Sequence, residues 1–379
     1  MIYYFGFYKS ELIKDFYPNG SINAISFKMD YIKGKLKESG EKITLISSYI
    51  SDREGYYPYR KVVVDDAEID HYLPCLRLKG VFSKLTGIFR YVTVFFYLMQ
   101  IIKRNSTVVV YHHTSFVSII KFITKIKKLK VILEIEEVFH VNTTLRNLEK
   151  LKKKENCIFN LADGYIIVND LIYPRYINNN KKHIVIYGTY NNLKLDMNRN
   201  PQKRDKIRII YSGSIDKVRG AFFSVDIAKC LDKNYELHIC GSGTHEMVEE
   251  LQKKIEQCND EDKGCKIVFH GQLNDDKLEQ LIESCEIGLN LQDIGNPFEA
   301  VSFPSKITFY LLHGLNVFST EMSSVKASLL SNCVTFIKSN PIEASSVIMS
   351  TQLKPSFSNI RFMQELDAKA LEDLVWLVK

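Results

Sequence analysis

The stretch SFPSKITFYLLHG, residues 302–314, sets a proline, a hydroxyl and a lysine directly before an apolar run. That is the grammar of a helix start: Ser305 is expected to cap the first turn with its side-chain oxygen, and Pro304 to fix the entry of the chain. A helix start offers unpaired N–H groups and a partial positive charge, which suit phosphate, and Lys306 adds a full charge there. An ordinary capped core helix has the same grammar, so the neighbouring motifs decide. Three strands upstream are expected to end in glycine turns, YSGSIDKVRG (211–220), CGSG (240–243) and FHGQL (269–273). Glycine lets a backbone approach a ligand closely. Gly213, Ser214, Gly241, Gly243, His270 and Gly271, with Ser305, are therefore the expected lining of a nucleotide site. Arg219, within the first turn, is expected to reach the same phosphates as Lys306, because two cations are what a nucleoside diphosphate leaving group requires. Its alternative is a surface ion pair.

Other candidates carry less. DED at 260–262 imitates the Asp-x-Asp of metal-dependent sugar transfer, but it follows a helix in a polar loop and reads as surface. His112 and His113 follow a strand; His113 is the candidate for contact with an acceptor or sugar, and a metal site would need further ligands that are not evident. Glu136 and Glu137 end the next strand, where adjacent side chains point to opposite faces, so at most one of them faces a ligand.

These residues need elements to hold them. At 379 residues the chain exceeds the size at which one core keeps growing, so two domains are expected. MIYYFGFY, KITLIS, STVVVYHH, KVILEIEE, ADGYIIVN and KHIVIYG read as strands with helices between several of them, which is βα repetition around a parallel sheet. The polar stretch 191–206 reads as a linker. A second series follows in IRIIYSGS, YELHICGSG, CKIVFHGQL, EIGLNLQ and NVFST. The expected organisation is an α/β chain of two doubly wound domains, 1–190 and 207–354, with a helical segment at 355–379 returning to the first. Ligands of such sheets bind at the carboxyl ends of the strands, here in a cleft between the two domains.

Composition narrows the class further. Hydrophobic residues make up 45% and charged residues 25%, ordinary for a folded globular chain. The eight cysteines include no C-x-x-C pair, so reduced thiols are expected rather than a zinc site or a disulfide framework. The first residues, MIYYFGFYKSELIKDF, show no secretory signal pattern. YVTVFFYLMQII, 91–102, is twelve residues where a span needs about 20, so no bilayer crossing is expected. Its flanking cations, Lys84, Arg90, Lys103 and Arg104, suit a helix on an anionic membrane surface, and its apolarity suits one packed on a sheet. Residues 1–190 carry 29 Lys and Arg against 18 Asp and Glu, and the net charge of +7 comes from this half. KFITKIKKLK, 121–130, holds much of it, and an anionic partner such as phospholipid or a lipid-linked diphosphate is expected. Nucleic acid is not, since no binding motif accompanies a pI of 8.7.

In order and spacing these pieces resemble the GT-B glycosyltransferases, and within them the family 4 group of retaining, nucleotide-sugar-dependent enzymes that build bacterial surface polysaccharides. YSGSIDKVRG, ELHICGSG, KIVFHGQL, CEIGLNLQ and SFPSKITFYLLHGLNVFST carry the resemblance in the second half. In the first half it rests on the segment 17–47, on ILEIEEVFH, on Glu155 and on ADGYIIVND. The resemblance implies that the first domain binds the acceptor and the second the sugar nucleotide, and that no metal or other cofactor is needed. It also implies that Gly20 and Ser21 face the donor diphosphate. The departures are specific. Ser214 stands at the position of the family's arginine, with Arg219 in place of its lysine. The two family glutamates fall on Val301 and Phe309, with Glu299 as the candidate substitute, and Glu136–Glu137 stands where a His–Asp pair often does. Arg219, Lys306, Glu299 and Glu136 are then the expected catalytic residues. The function implied is transfer of a sugar from a nucleotide diphosphate to a lipid-linked or oligosaccharide acceptor, by an enzyme in the cytoplasm at the inner face of the plasma membrane. The alternatives are an inactive partner subunit of the same fold and a nucleotide-sugar epimerase.

Overall fold

Runs such as IYYFG and ITLIS are apolar at successive positions, which suits strands covered on both faces. In the computed structural model they are strands β1 (Ile2–Gly6) and β2 (Ile43–Ser47), buried along their whole length. The structure describes residues 1–10, 12–13, 24–49, 51, 53–141, 148–177, 179–190, 205–260, 264–295, 297–353 and 357–379. Gly20, Ser21 and most of the expected linker lie outside the described residues. The chain folds as two compact units, Met1–Ile186 with Ala368–Lys379, and Tyr187–Asp367. Tyr187 packs in the second, where its hydroxyl accepts from Leu329 N at 3.0 Å and its ring lies 5.0 Å from Phe303.

In the first unit, β1 and β2 are followed by β3 (Gly55–Tyr57), β4 (Arg60–Asp65), β5 (Glu68–Tyr72), β6 (Cys75–Arg77), β7 (Thr107–Tyr111), β8 (Lys130–Ile135), β9 (Gly164–Ile167) and β10 (Lys182–Val185). The main sheet runs β10-β9-β8-β7-β1-β2-β5-β4, parallel except for β4 at its edge, and β3 pairs with β6 separately. The strand order reverses between β1 and β7, the position at which such sheets take ligands. The α-helices between its strands are α1 (Ala24–Glu38), α2 (Ser83–Ile101), α3 (Val117–Lys127) and α4 (Leu148–Leu161), with a short π-helical turn at Tyr173–Ile177.

α2 corrects an expectation. Its 19 residues are entered through a short helical turn at Gly80–Phe82, so the twelve-residue apolar run is only part of it. By length and composition alone, Gly80–Ile101 would be long enough to cross a bilayer. One side of it is fastened to the unit, because Thr86, Val94 and Leu98 are buried and Arg90 donates to Ser48 O at 2.7 Å.

The second unit repeats the plan: β11 (Ile207–Ser212), α5 (Ala221–Lys229), β12 (Tyr235–Cys240), α6 (His245–Asp260), β13 (Lys266–Phe269), α7 (Asp275–Glu283), β14 (Ile287–Asn290), α8 (Ser305–Leu312), β15 (Asn316–Thr320), α9 (Ser323–Lys326), β16 (Val334–Ile337) and α10 (Pro341–Ser350). Its six strands are ordered β13-β12-β11-β14-β15-β16, with every pair parallel. The order reverses between β11 and β14. Val225, Leu237, Ile239 and Leu289 form part of a core in which each is at most 1% exposed. Finally α11 (Phe357–Val378) begins in this unit and ends in the first. There Lys130 and Lys182 donate to Val378 O and Trp376 O, each at 3.1 Å, and Leu377 fills the space beside Gly164. All eight cysteines are free.

Candidate functional site

The carboxyl end of β11, at the switch point of the second sheet, turns at Gly213, whose φ of +150° favours glycine. Gly213 N donates to Cys240 O at 3.0 Å and Gly241 N to Gly271 O at 2.8 Å, so the three glycine turns form one continuous rim. The reason for glycine differs along it. A Cβ at Gly241 would lie 1.7 Å from Gly213 O, and one at Gly243 would lie 2.4 Å from Ile215 O. At those two positions the close approach of the neighbouring turn requires glycine. Gly271 has open space beside it.

α8 rises beside this rim. The expectation that Ser305 caps it is not met: Pro304 occupies the cap position without a side-chain bond, and Ser305 is the first helical residue, exposed. A cap oxygen must come from the residue before the first helical turn, and proline has none to offer. Lys306 instead turns inward. Its Nζ lies 4.3 Å from the centroid of the Tyr211 ring and would be 3.1 Å from a Cβ on Gly213. Among the described residues it forms no ion pair, and burial, helped by the charge of Arg219, lowers its pKa to about 8. Arg219 is exposed, with its Nε 3.6 Å from Asp216 Oδ2. It therefore makes the weak surface pair and also lies close enough to Lys306 to act on it. Ser214 is exposed too, and its carbonyl lies 2.9 Å from the Tyr211 hydroxyl.

Two tyrosines that sequence reasoning missed hold this arrangement. Tyr211 supports Lys306 from β11. Tyr310, one turn beyond Lys306 on α8, accepts from Ser212 N at 2.8 Å and so locks the helix to the end of β11. Their spacing from Gly213 and Lys306 was the available signal. Glu299 lies on the short turn Pro297–Ala300 that leads toward α8, and its Oε2 is buried with no hydrogen-bond partner among the described residues. A carboxylate oxygen left so is costly and available to a hydroxyl donor. His270 faces its own sheet: its Nε2 is 2.9 Å from His238 Nδ1, and His238 Nε2 is 3.2 Å from Glu236 Oε2. Burial lowers the pKa of both imidazoles, that of His238 to about 4. Neutral rings therefore join β12 to β13.

The first unit gathers a second group at the ends of β1 and β8. Glu134 is fully buried and bonded by the Tyr4 hydroxyl; Lys28 Nζ donates to Ile186 O at 2.5 Å and lies 3.8 Å from Glu136 Oε1. Burial, with the charge of Glu136 added, raises the pKa of Glu134 to about 8, and burial raises that of Glu136 as well. His113, half-buried, accepts at Nδ1 from Ser115 N at 3.0 Å, and its ring is 4.7 Å from Phe7. Burial and then Arg90 lower its pKa to about 4, so it is a neutral imidazole. His112 is structural: its Nε2 is 3.3 Å from Glu155, a carboxylate that also takes Phe139 N and His140 N at 2.8 Å each. The described residues contain one cluster of metal-type side chains, Glu279, Glu283 and His313, and none of the expected site residues is in it. Of the DED triplet only Asp260 is described; it ends α6.

No family model matches the chain, and no curated protein matches it. Solved structures do. A UDP-forming α,α-trehalose-phosphate synthase from Burkholderia xenovorans aligns over 100% of this chain and 99% of its own, with a TM-score of 0.67 at 9% identity. A sucrose-phosphate synthase from Thermosynechococcus elongatus aligns over 99% of this chain and 95% of its own, with a TM-score of 0.62 at 10% identity. An Escherichia coli trehalose-6-phosphate protein bound with UDP-2-fluoro glucose aligns over 100% and 98%, with a TM-score of 0.64 at 9% identity. At such identities the likeness is one of fold. The chain has the GT-B fold, with a doubly wound parallel sheet in each unit.

Proposed function

We propose that the chain is a nucleotide-sugar-dependent glycosyltransferase. One observation carries the reading: a lysine set into a half-buried place, beside a glycine turn at a sheet's switch point, with no carboxylate paired to it among the described residues. An anion there would satisfy both the cation and the free N–H groups at the start of α8. The diphosphate of a sugar nucleotide fits, and the similar structures include UDP-forming synthases and one bound to UDP-2-fluoro glucose. At neutral pH Lys306 is mostly protonated, so with Arg219 it stabilises charge as the diphosphate departs, the task a divalent cation performs in other transferases. Glu299 is assigned to a hydroxyl of the donor, on the strength of its unsatisfied oxygen. In the first unit, His113 and Glu136 are assigned to the transferred sugar or the acceptor. The acceptor class proposed is a lipid-linked sugar or oligosaccharide of bacterial surface polysaccharide synthesis, transferred to with retention and without metal; the family 4 resemblance and the basic first half support it.

The test is a thermal-shift screen of nucleosides, nucleoside diphosphates and sugar nucleotides. Ligand at a hundred times its Kd stabilises by about 2.7 kcal/mol, a shift of a few degrees. If neither nucleoside diphosphates nor sugar nucleotides raised Tm at saturation, the reading would fall.

A further inference from the structure

From His71 to Leu133 the chain carries 11 Lys and Arg and no Asp or Glu, in a protein with 44 acidic residues among 379. This 63-residue span contains α2 and α3, which meet through the rings of Phe95 and Phe122 at 5.7 Å. A helix packed on a domain should be polar on its outward side. α2 is not. Thr86, Val94 and Leu98 face inward, and the opposite side presents Leu85, Ile88, Val92 and Phe96 at helical spacing, all exposed. Ile88 and Phe96 are 60% and 62% exposed, and Val81 and Phe82 in the entering turn are 91% and 63% exposed. Phe122 and Ile126 extend the apolar strip onto α3. Exposed cations stand around it: Lys84 at its start, Lys103 and Arg104 past its end, and Lys121, Lys125 and Lys128 along and beyond α3.

We propose that this face of the first unit docks on an anionic lipid bilayer, with α2 lying in the plane of the interface. Aliphatic and phenyl groups at the centre enter the acyl boundary while the surrounding Lys and Arg meet anionic headgroups. Charge selects this occupant over a second copy of the chain. A two-fold dimer through the face would oppose two predominantly basic surfaces, where Glu54, 3.8 Å from Lys79 Nζ, is an acid beside the cations, and such surfaces repel. A spanning helix is disfavoured by Arg90, whose guanidinium is held by Ser48 and lies 4.9 Å from the Phe116 ring. The proposal rests on the first unit alone and not on the nucleotide site.

Flotation of the full chain with phosphatidylcholine vesicles, with and without phosphatidylglycerol, tests it. Binding should be about tenfold or more stronger with the anionic lipid and should weaken as salt shortens the Debye length. Ile88→Glu with Phe96→Glu should lose about tenfold or more in partitioning while keeping the parent's Tm, since both side chains are exposed. Lys121→Glu with Lys125→Glu should reproduce the effect of added salt. Equal flotation on neutral and anionic vesicles, or equal flotation of parent and the doubly acidic variant, would overturn the proposal. So would resistance to an alkaline carbonate wash, which marks a spanning helix. A parent that stays off vesicles and forms a dimer, broken by the Ile88→Glu, Phe96→Glu pair, would show the face to be a self-association surface and overturn it too. Nucleotide shifts are read on the same samples: flotation without any such shift would uphold the docking and sink the glycosyltransferase reading.

Discussion

Lys306 carries a charge where burial and the Arg219 guanidinium both oppose it, so its replacement separates stability from binding. Lys306→Met keeps the unbranched stem of the side chain to within one atom and removes the charge; the apo protein should melt higher, while affinity for a nucleoside diphosphate should fall about tenfold or more and affinity for the nucleoside should hold. Calorimetric titration of both ligands checks this, and equal diphosphate affinity in the two proteins would refute it. The sign of the pH dependence follows from the same group. Its folded pKa, about 8, is below its ordinary 10.5, so above pH 8 the free protein presents a neutral amine. Diphosphate affinity should therefore fall as pH rises past about 8, with proton uptake on binding, visible as a dependence of the binding heat on the buffer's ionisation enthalpy. In the unligated protein the same shift makes stability rise between about pH 8 and 10.5, because there the unfolded chain binds the extra proton. The cation itself was legible in the sequence, from its place ahead of an apolar helix. Its support was not: Tyr211 and Tyr310 read as two more aromatic residues in apolar runs, and only the pairing of α8 with the end of β11 shows that one lies against the amine and the other ties down the helix.

At the scale of elements, the glycine rim makes a contrast that substitution can expose. Gly241→Ala would drive a methyl group into Gly213 O, and backbone cannot step aside, so a loss of about 3 kcal/mol or more is expected in urea denaturation, together with loss of nucleotide binding. Gly271→Ala meets no neighbour and carries only the strain of φ +65°, about 1 kcal/mol, and should keep its ligand. Comparable losses in the two variants would mean that the stacking of the turns is unimportant. Most of both sheets was legible because buried parallel strands are short apolar runs bounded by turns. The strands β3 to β6 were not. β4 reads RKVVVD and is exposed at nearly every position, so it has neither an apolar face nor a clean alternation, and it is recruited only as an antiparallel edge to β5. Its charges also guard that edge against further pairing. β16, the four residues VTFI, is equally brief in pattern and is defined by its pairing with β15.

At the scale of the whole molecule, the two units divide what each ligand should protect. Addition of a nucleoside diphosphate should slow hydrogen exchange in 211–220, 240–243 and 299–310, all in the second unit, and an equal slowing spread through both sheets would contradict a local site. The tandem plan was legible from the repeated alternation of strands and helices, and the partition of the last helix only in part, since nothing in its sequence says at which residue it changes allegiance. That change has a consequence for the order of events at the ribosome. Residues 368–379 complete the first unit, where Leu377 plugs the space beside Gly164 and Lys130 and Lys182 hold the terminal carbonyls. They are synthesised after every residue of the second unit. During translation the second unit can therefore close first, while the first waits with a gap beside β9, so that of these two units the one begun first is the one completed second.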